Sequence, residues 1–352
     1  MRDDTALAAL FARLGLAPSA SLEEVHSAYK ARLREYVSQG KAVDELKEAH
    51  RVLADSSLRD AYRIPAPAQP LALGVTEYGH GARDEAGEAP RDANGRPAYG
   101  FAGFQGHRLA MEDALVLGAP CASGAHLFAV CDGHGGRRAA DFLTAELPAV
   151  IGGLPLAESL ALHLPAAAEK AYAELDRKLL RVSAEEGWHD GSTALAVVVS
   201  RRRLQVLQVG DCQAVLCGAF GVEELCVQHR PEEPSEAARL AALGEQVVNG
   251  RIHSLSVSRA FGDLDSKALG PGVVASPQVV TRELDPTDEM LILGCDGLWD
   301  AMTGQDAWTL VQRAGHKTKS KWELEAAARA LATAAIDRGS TDNVSVILLL
   351  LK

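Results

Sequence analysis

The sequence has 352 residues, which is long enough for one large hydrophobic core and a small accessory domain. Hydrophobic residues make up 47% of it and charged residues 24%, a composition typical of a globular protein and not of a disordered one. The formal net charge of -11 argues against a nucleic-acid-binding protein, because such a protein needs a basic surface to neutralise phosphates.

The sequence also lacks the patterns of secreted and membrane proteins. It starts with acidic residues, MRDDTALAAL, where a signal peptide has basic ones, and no apolar run reaches the roughly 20 residues of a membrane helix. The six cysteines show neither C-x-x-C nor the spacing of a zinc site. We therefore expect a reducing, cytoplasmic location, with the nucleus as an alternative, and no membrane partner.

The first part of the chain, residues 1–63, is predicted to be a small all-helical module. Ser21 opens the segment S-L-E-E, a capping box with Glu24 three residues on, and apolar residues recur behind it at helical spacing. Gly40 interrupts this helix, and a further helical pattern follows. Residues 64–96 are rich in proline, glycine and charge, so they are predicted to be a linker.

The remainder, residues 97–352, is predicted to be a layered α+β domain with sheets inside and helices outside. Continuous apolar runs of strand length suit strands that are buried on both faces. These runs are HLFAVC (126–131), TALAVVV (193–199), LQVLQV (204–209), AVLC (214–217), MLILGC (290–295) and VSVILLLL (344–351). Helices are predicted between them, near 137–150, 159–186, 236–243, 305–314 and 322–337.

Acidic residues stand at the ends of these predicted strands. Asp132, Asp211 and Asp296 each follow an apolar run, Asp342 precedes the last one, and the pair Glu112-Asp113 lies just ahead of another apolar stretch. Any one of them alone is typical of a loop residue that caps a turn. Together they indicate a cluster that repels itself unless cations neutralise it. Carboxylate ligands without a histidine and cysteine set point to Mg²⁺ or Mn²⁺.

Two such ions, a few ångströms apart, activate water for in-line displacement at phosphorus. Arg108 suits the phosphate, because a guanidinium binds phosphate oxygens in a bidentate manner. His134, two residues from Asp132, suits the protonation of a leaving alkoxide, although its spacing equally fits a structural histidine. The intervening Gly133 allows close approach of the backbone, and its carbonyl is a candidate ligand.

Two other phosphate chemistries are also considered for the segment FAVCDGHGGRR. Cys131 and Arg137 have the spacing of a cysteine phosphatase loop, but Asp132 directly after the cysteine would raise the thiol pKa and repel a phosphate. An aspartyl-phosphate mechanism with Asp-x-Asp would require an acid at position 134, where His134 stands. Neither alternative therefore explains the segment as well as a metal site does.

Seven stretches of the chain carry a resemblance to a known family: QGHRLAMEDA, FAVCDGHGG, GSTALAVV, VGDCQAVL, NGRIHSLSVSRAFGD, LILGCDGLWD and STDNVSVIL. In these stretches, and in their order, residues from about 99 to 352 resemble the metal-dependent serine/threonine protein phosphatases of the PP2C type. The resemblance implies a four-layer α/β/β/α sandwich of two antiparallel sheets flanked by helices, two Mg²⁺ or Mn²⁺ ions at one edge, and a phosphorylated protein as substrate.

The same resemblance implies a ligand set. Asp132 would bridge both metal ions. The Gly133 carbonyl and Glu112 would serve one ion. Asp296 and Asp342 would serve the other.

It also implies the remaining roles in the site. Arg108 would bind the phosphate, and His134 would be the general acid. Asp211, with Asp300 as a further candidate, matches the position of a weaker third metal ion. The fourth stretch departs from the family at Cys212, where serine is usual.

The N-terminal module resembles a J domain, the helical part of co-chaperones, in LFARLGLAPSASLEEVHSAYKARLREY and AVDELKEAHRVLADSSLRDAYR. The His-Pro-Asp that stimulates the chaperone's ATPase in J domains is absent, and YVSQGK stands there instead. A degenerate J fold and a generic three-helix interaction module are the two interpretations. Either would give the protein a chaperone or another protein as partner.

Two functions from different classes follow. The first is an active metal-dependent phosphatase for phosphoserine and phosphothreonine that uses a metal-activated water and no phosphoenzyme intermediate. The second is a non-catalytic scaffold in which a phosphatase fold and a J-like module present binding surfaces. The complete set of ligand residues favours the first.

Overall fold

The computed structural model divides the chain into two compact units, Met1–Thr76 with Gln246–Ser256 and Glu77–Glu245 with Val257–Lys352. The residues that the structure describes are 11–17, 20, 24–25, 28–29, 31–32, 84–91, 96–121, 124–156, 163–200, 202–318 and 321–352.

The second unit contains all of the named strands and helices. In chain order the strands are β1 (Glu85–Ala89), β2 (Ala98–Phe104), β3 (Ala114–Pro120), β4 (His126–Cys131), β5 (Gly133–His134), β6 (Gly191–Ser192), β7 (Ala194–Val199), β8 (Arg203–Val209), β9 (Gln213–Gly218), β10 (Gly221–Glu224), β11 (Phe261–Gly262), β12 (Gln278–Glu283), β13 (Asp288–Gly294), β14 (His316–Thr318), β15 (Lys321–Trp322) and β16 (Val344–Leu350). The helices are α1 (Arg138–Gly152), α2 (Leu164–Glu186), α3 (Pro234–Ala242), α4 (Leu264–Leu269), α5 (Asp296–Trp299), α6 (Gly304–Gly315) and α7 (Leu324–Asp337).

Two antiparallel sheets form the centre of this unit. One has six strands in the order β1-β2-β16-β13-β9-β10, and the other has five in the order β12-β8-β7-β4-β3. A small sheet β11-β6-β5 and the pair β14-β15 complete the pairing of the named strands. The predicted arrangement of two antiparallel sheets flanked by helices is confirmed.

Strand β4 shows how the layers form, because all six of its residues are buried. Leu127 and Ala129 belong to the core beneath helices α1 and α2, while Phe128 and Val130 belong to the core shared by the two sheets. Successive side chains of a strand point to opposite faces, so a continuous apolar run supplies two cores at once. A third core lies between the six-stranded sheet and helices α5, α6 and α7.

The pairing register brings the loops with acidic residues to one edge of the sandwich. In the six-stranded sheet, Gly294 at the end of β13 pairs with Gln213 and Val346, near the starts of β9 and β16. In the five-stranded sheet, Cys131 at the end of β4 pairs with Ala114 at the start of β3. An antiparallel strand ends at the edge where its neighbour begins. The loops that follow β4 and β13 therefore lie beside the loops that precede β3, β9 and β16.

The first unit is described only in short stretches. Residues 11–14, 24–25, 28–29 and 31–32 are helical, and the side chains of Phe11, Leu14, Val25 and Tyr29 are buried. The predicted cap at Ser21, the break at Gly40 and the rest of the module lie outside the described residues. The J-like module of residues 1–63 therefore stays a prediction.

Part of the predicted linker, residues 64–96, pairs with the sheet. Strand β1 lies within this range and pairs with β2, from Glu85 opposite Gly103 to Ala89 opposite Tyr99. The sequence EAGEA carries no strand signal of its own, so the neighbouring strand imposes its conformation. Among the described residues, no helix has both the length and the apolar character needed to cross a membrane.

The core between the two sheets provides a test of the layered fold. Phe128 is fully buried, and its ring meets the Tyr99 ring edge-on at 5.4 Å between centroids. We expect Phe128→Ala to lower the free energy of unfolding by about 3–5 kcal/mol, measured by urea denaturation. Phe220 is 93% exposed, so the matched Phe220→Ala should change it by less than about 0.5 kcal/mol. Equal effects of the two substitutions would contradict the assignment of Phe128 to a core.

Candidate active site

Three aspartates from three strand ends meet at the edge of the sandwich. Asp132, Asp211 and Asp296 each contribute a carboxylate oxygen, and these oxygens lie within 4.8 Å of one another. A second group overlaps the first, with Asp132, Asp113 and the thiol of Cys295 within the same distance. Both groups are arrangements that could hold a metal ion.

The turn that carries Asp132 is fixed by hydrogen bonds and by glycine. The backbone N–H of Asp132 donates to Oγ1 of Thr193 at 3.2 Å, and the N–H of Thr193 donates to the carbonyl of Asp132 at 2.9 Å. A Cβ atom at Gly133 would lie 2.4 Å from the carbonyl oxygen of Glu112. Position 133 therefore has to be glycine for the Glu112 backbone to approach the Asp132 turn.

The turn that carries Asp211 is held by a buried amide. Gln208 lies at the end of β8 and is fully buried, and its Nε2 donates to the carbonyls of Gly210, at 3.1 Å, and Cys212, at 2.7 Å. These two bonds close the loop around Asp211. The carboxylate therefore enters the cluster from a rigid segment.

Asn343 holds the loop of residues 105–112 against the start of β16. Its Oδ1 accepts from the backbone N–H of Glu112 at 2.8 Å. Its Nδ2 donates to the carbonyls of Gln105, at 2.8 Å, and Ala110, at 3.0 Å. One buried side chain thereby places Glu112 and the intervening Arg108 next to Asp342. The sequence indicated Asp342 but gave Asn343 no role.

The clustered carboxylates have perturbed acidities. Burial raises the pKa of Asp132 well above its ordinary value, and the charges of Asp113 and Asp296 raise it further. Burial also raises the pKa of Asp296 well above its ordinary value, with a further increase from Asp211 and Asp342. Groups that mutually resist ionisation in this way fit a site for divalent cations, which would favour the charged forms.

Asp113 is a member of the cluster that the sequence pattern named beside Glu112 but to which it gave no role. Burial raises its pKa to about 6. Its Oδ2 is buried and accepts no hydrogen bond from the residues that the structure describes. A buried oxygen without a donor fits an oxygen-rich cation site, through direct ligation or a bound water. The adjacent acidic pair Glu112-Asp113 was the available signal.

Arg108 lies at the cluster with a half-exposed side chain. Its Nη2 donates to Oδ2 of Asp342 at 2.6 Å. Burial alone lowers the pKa of the guanidinium, but the carboxylates of Asp342 and Asp296, followed by those of Asp132 and Glu112, raise it above its ordinary value. The structure thus brings the predicted cation and the predicted ligands together.

His134 is paired with a carboxylate that the sequence did not indicate. Its Nε2 lies 2.7 Å from Oδ2 of Asp263, whose side chain is almost fully buried. Asp263 has a left-handed backbone, with φ of 53°, and its N–H donates to the carbonyl of Asp190. A Cβ at Gly191 would lie 2.1 Å from the Asp263 carboxylate and 2.4 Å from His134. Because 129 residues separate the pair, spacing offered no signal.

A second arginine, Arg230, also joins the acidic groups. Its Nε donates to Oδ2 of Asp211 at 3.2 Å, and its Nη2 donates to Oδ1 of Asp300 at 2.6 Å. The sequence placed Asp211 and Asp300 together as candidates for a third metal ion. It assigned nothing to Arg230.

Cys131 does not have the surroundings of a nucleophile. The side chain is fully buried in the core beneath α1 and α2. Burial raises the pKa of its thiol far above the ordinary value, and the charges of Asp113 and Asp132 add to this effect. Arg137 donates to Asp141 and to the carbonyl of Met111. The geometry therefore favours the carboxylates over the thiol as the reactive centre.

Comparison with known proteins shows the family of the chain. Residues 98–344 match the family model described as protein phosphatase 2C. Over 261 residues the chain is 34% identical to the probable protein phosphatase 2C 59 of Oryza sativa subsp. japonica, covering 72% of this chain and 76% of the relative. It is 33% identical over 263 residues to the probable protein phosphatase 2C 76 of Arabidopsis thaliana, covering 73% and 60%.

Solved structures agree on the fold. A phosphatase from a pathogenic strain of Toxoplasma gondii superposes with a TM-score of 0.63 at 24% identity, covering 73% of this chain and 94% of that one. The serine-threonine phosphatase 2C from Toxoplasma gondii gives 0.59 at 22% identity, covering 76% and 99%. The sequence resemblance to PP2C phosphatases is thereby confirmed: the chain belongs to the protein phosphatase 2C family and is a protein phosphatase.

Proposed function

We propose that the protein hydrolyses phosphoserine and phosphothreonine in proteins with two divalent cations, Mg²⁺ or Mn²⁺, and without a phosphoenzyme intermediate. The meeting of Asp132, Asp211 and Asp296 beside Arg108 is the observation that carries this proposal. When bound, such ions supply a water of lowered pKa and stabilise the charge that develops on phosphorus oxygens. The buried carboxylates, mutually repelling and rich in oxygen donors, suit these hard ions.

The proposed ligands come from loops at the ends of strands in both sheets. Asp132 would serve both ions, because it belongs to both acidic groups. Glu112 and the Gly133 carbonyl would serve one of them, in keeping with the close approach of the two backbones at this point. Asp296 and Asp342 would serve the other. Asp211 adjoins both Asp132 and Asp296 in the cluster.

Arg108 would bind the substrate phosphate. A guanidinium presents paired N–H donors that match two phosphate oxygens, and it stays charged at any physiological pH. Asn343 fixes the loop on both sides of Arg108, so the side chain extends from an ordered backbone. Fixing the loop lowers the entropic cost of orienting the phosphate.

His134 would protonate the leaving serine or threonine oxygen. Its Nε2 faces Asp263, which leaves Nδ1 as the ring nitrogen for the substrate. A carboxylate on one nitrogen fixes the orientation and the tautomer of an imidazole. Asp263 is thus a positioning residue for the proton donor. Alkoxides are poor leaving groups, so this protonation matters for phosphoserine and phosphothreonine.

Removal of the cations tests the central proposal. Treatment with EDTA should abolish turnover of a phosphothreonine peptide, and added Mn²⁺ should restore it. Asp296→Asn should lower kcat/KM by about 100-fold or more. Loss of a metal ligand should cost at least as much as loss of a residue that only hydrogen-bonds to a ligand. Asp337→Asn, an exposed position at the end of α7, is the matched control and should leave the rate unchanged.

Turnover that survives EDTA, or a full rate in Asp296→Asn, would contradict the proposal. A folded wild-type protein with no turnover of phosphopeptides at any Mn²⁺ concentration would instead favour the non-catalytic scaffold.

The His134–Asp263 pair predicts a dependence on the leaving group. Asp263→Asn should lower kcat for a phosphothreonine peptide by about tenfold or more, and kcat for p-nitrophenyl phosphate by less than about threefold. The physical reason is that nitrophenolate leaves without a proton. Asp265→Asn is the matched control. Asp265 lies two residues after Asp263 in the chain, and its carboxylate pairs with His189 at 2.8 Å and not with His134. An equal loss on both substrates would rule out a role in proton donation.

The thiol alternative has its own test. Cys131→Ala should retain the wild-type kcat, because the buried thiol contacts no reacting group in the proposed mechanism. The rate is measured with the same phosphopeptide, and thermal melting reports on folding. Loss of turnover in a variant that melts as the wild type does would revive Cys131 as a nucleophile.

A further inference from the structure

The guanidinium of Arg230 lies between two carboxylates at one side of the acidic cluster. It uses Nε for Asp211, at 3.2 Å, and Nη2 for Asp300, at 2.6 Å. These two nitrogens form one edge of the guanidinium. Nearly all of the Asp211 side chain is buried, with 3% exposed, whereas 34% of Arg230 and 55% of Asp300 are exposed.

The charge of Arg230 acts on a third carboxylate as well. Burial alone lowers the pKa of its guanidinium, but Asp211 and Asp300, followed by Asp296, raise it above its ordinary value. In return Arg230 lowers the raised pKa values of both Asp211 and Asp296. One fixed positive charge thus offsets part of the repulsion among three acidic groups.

The backbone around Arg230 is tied to the loop that carries Asp211. Gln228 donates from Nε2 to the carbonyl of Asp211 at 2.9 Å. The N–H of His229 donates to the carbonyl of Gly210 at 2.9 Å, and the N–H of Gly210 donates to Nδ1 of His229 at 3.1 Å. Three hydrogen bonds therefore precede Arg230 directly in the chain. The guanidinium extends to the two carboxylates from a segment with little freedom to move away.

Asp300 is held from the other side. It follows helix α5, which begins with Asp296, and its N–H donates to the Asp296 carbonyl at 2.8 Å. The Asp300 carboxylate is therefore coupled to the same short helix that carries the proposed ligand Asp296. The guanidinium connects this helix to the loop after β8.

These contacts do not fit a third divalent cation at Asp211 and Asp300. One oxygen of each carboxylate is held by the guanidinium, and a divalent cation bridging the pair would meet a positive charge a few ångströms away. We propose that the Arg230 guanidinium takes the place of a third divalent ion between Asp211 and Asp300, so that this chain binds only two. This inference depends on the proposed function only in that the proposed function supplies those two ions.

The count of bound Mn²⁺ ions tests this directly. Wild-type protein is dialysed to equilibrium against Mn²⁺, the free ion is measured by electron paramagnetic resonance, and bound ions per chain are determined at saturation. We expect two for the wild type and three for Arg230→Gln, which leaves the two carboxylates without their cation. Arg230→Gln with Asp300→Asn should return to two, because the extra ion loses a ligand.

Arg329→Gln is the matched control, since Arg329 pairs with Glu325 on helix α7 and should leave the count at two. Thermal melting of each variant reports on folding, and added Mn²⁺ should raise the melting temperature of Arg230→Gln more than that of the wild type. Arg230→Met serves if the glutamine variant does not fold. Its unbranched side chain carries no charge, so we again expect three ions.

Three ions on the wild type, or no additional ion on the variants of Arg230, would overturn the proposal. Either result leaves the proposed function standing, because that function depends on the first two ions and on turnover. Conversely, a wild type that binds two ions but hydrolyses no phosphopeptide, while Arg230→Gln binds a third ion, would contradict the proposed function and keep this inference. The two proposals therefore fail separately.

Discussion

The repulsion among buried carboxylates is the constraint on which the rest of this structure depends. Asp113, Asp132, Asp211 and Asp296 are brought together by the ends of different strands, and burial raises the pKa of each of them. Such a cluster destabilises the fold unless positive charge is close by. Arginine side chains supply part of that charge, and the proposed cations would supply the remainder. The site is thus an electrostatic cost that the surrounding sandwich has to offset.

The sandwich offsets this cost by burying long apolar strands on both faces. β4, β7 and β16 are buried almost throughout, so each contributes to two cores. Polar side chains then hold the loops at the strand ends, as Thr193 does for the Asp132 turn and Asn343 for residues 105–112. The non-directional burial of apolar side chains therefore supplies the stability, and a few directional hydrogen bonds fix the geometry of the loops.

Residue patterns predicted the strands and the acidic positions because both are local features. The apolar run 126–131 coincides with β4, and the aspartates follow such runs directly. Contacts between residues far apart in the chain could not be predicted from residue patterns. Examples are Asp263 beside His134 and Arg230 between two carboxylates. Strand β1 was missed for a related reason, since only its partner strand gives EAGEA an extended conformation.

Strand β16 lies in the middle of its sheet, between β2 and β13, although it is formed by residues 344–350. Asn343, directly before it, fixes the loop that carries Arg108 more than two hundred positions earlier. During synthesis the chain therefore emerges with a gap in its central sheet and with that loop unanchored. Residues 342–350 therefore have to leave the ribosome before Asp342 and the anchored loop can take their places beside the acidic cluster.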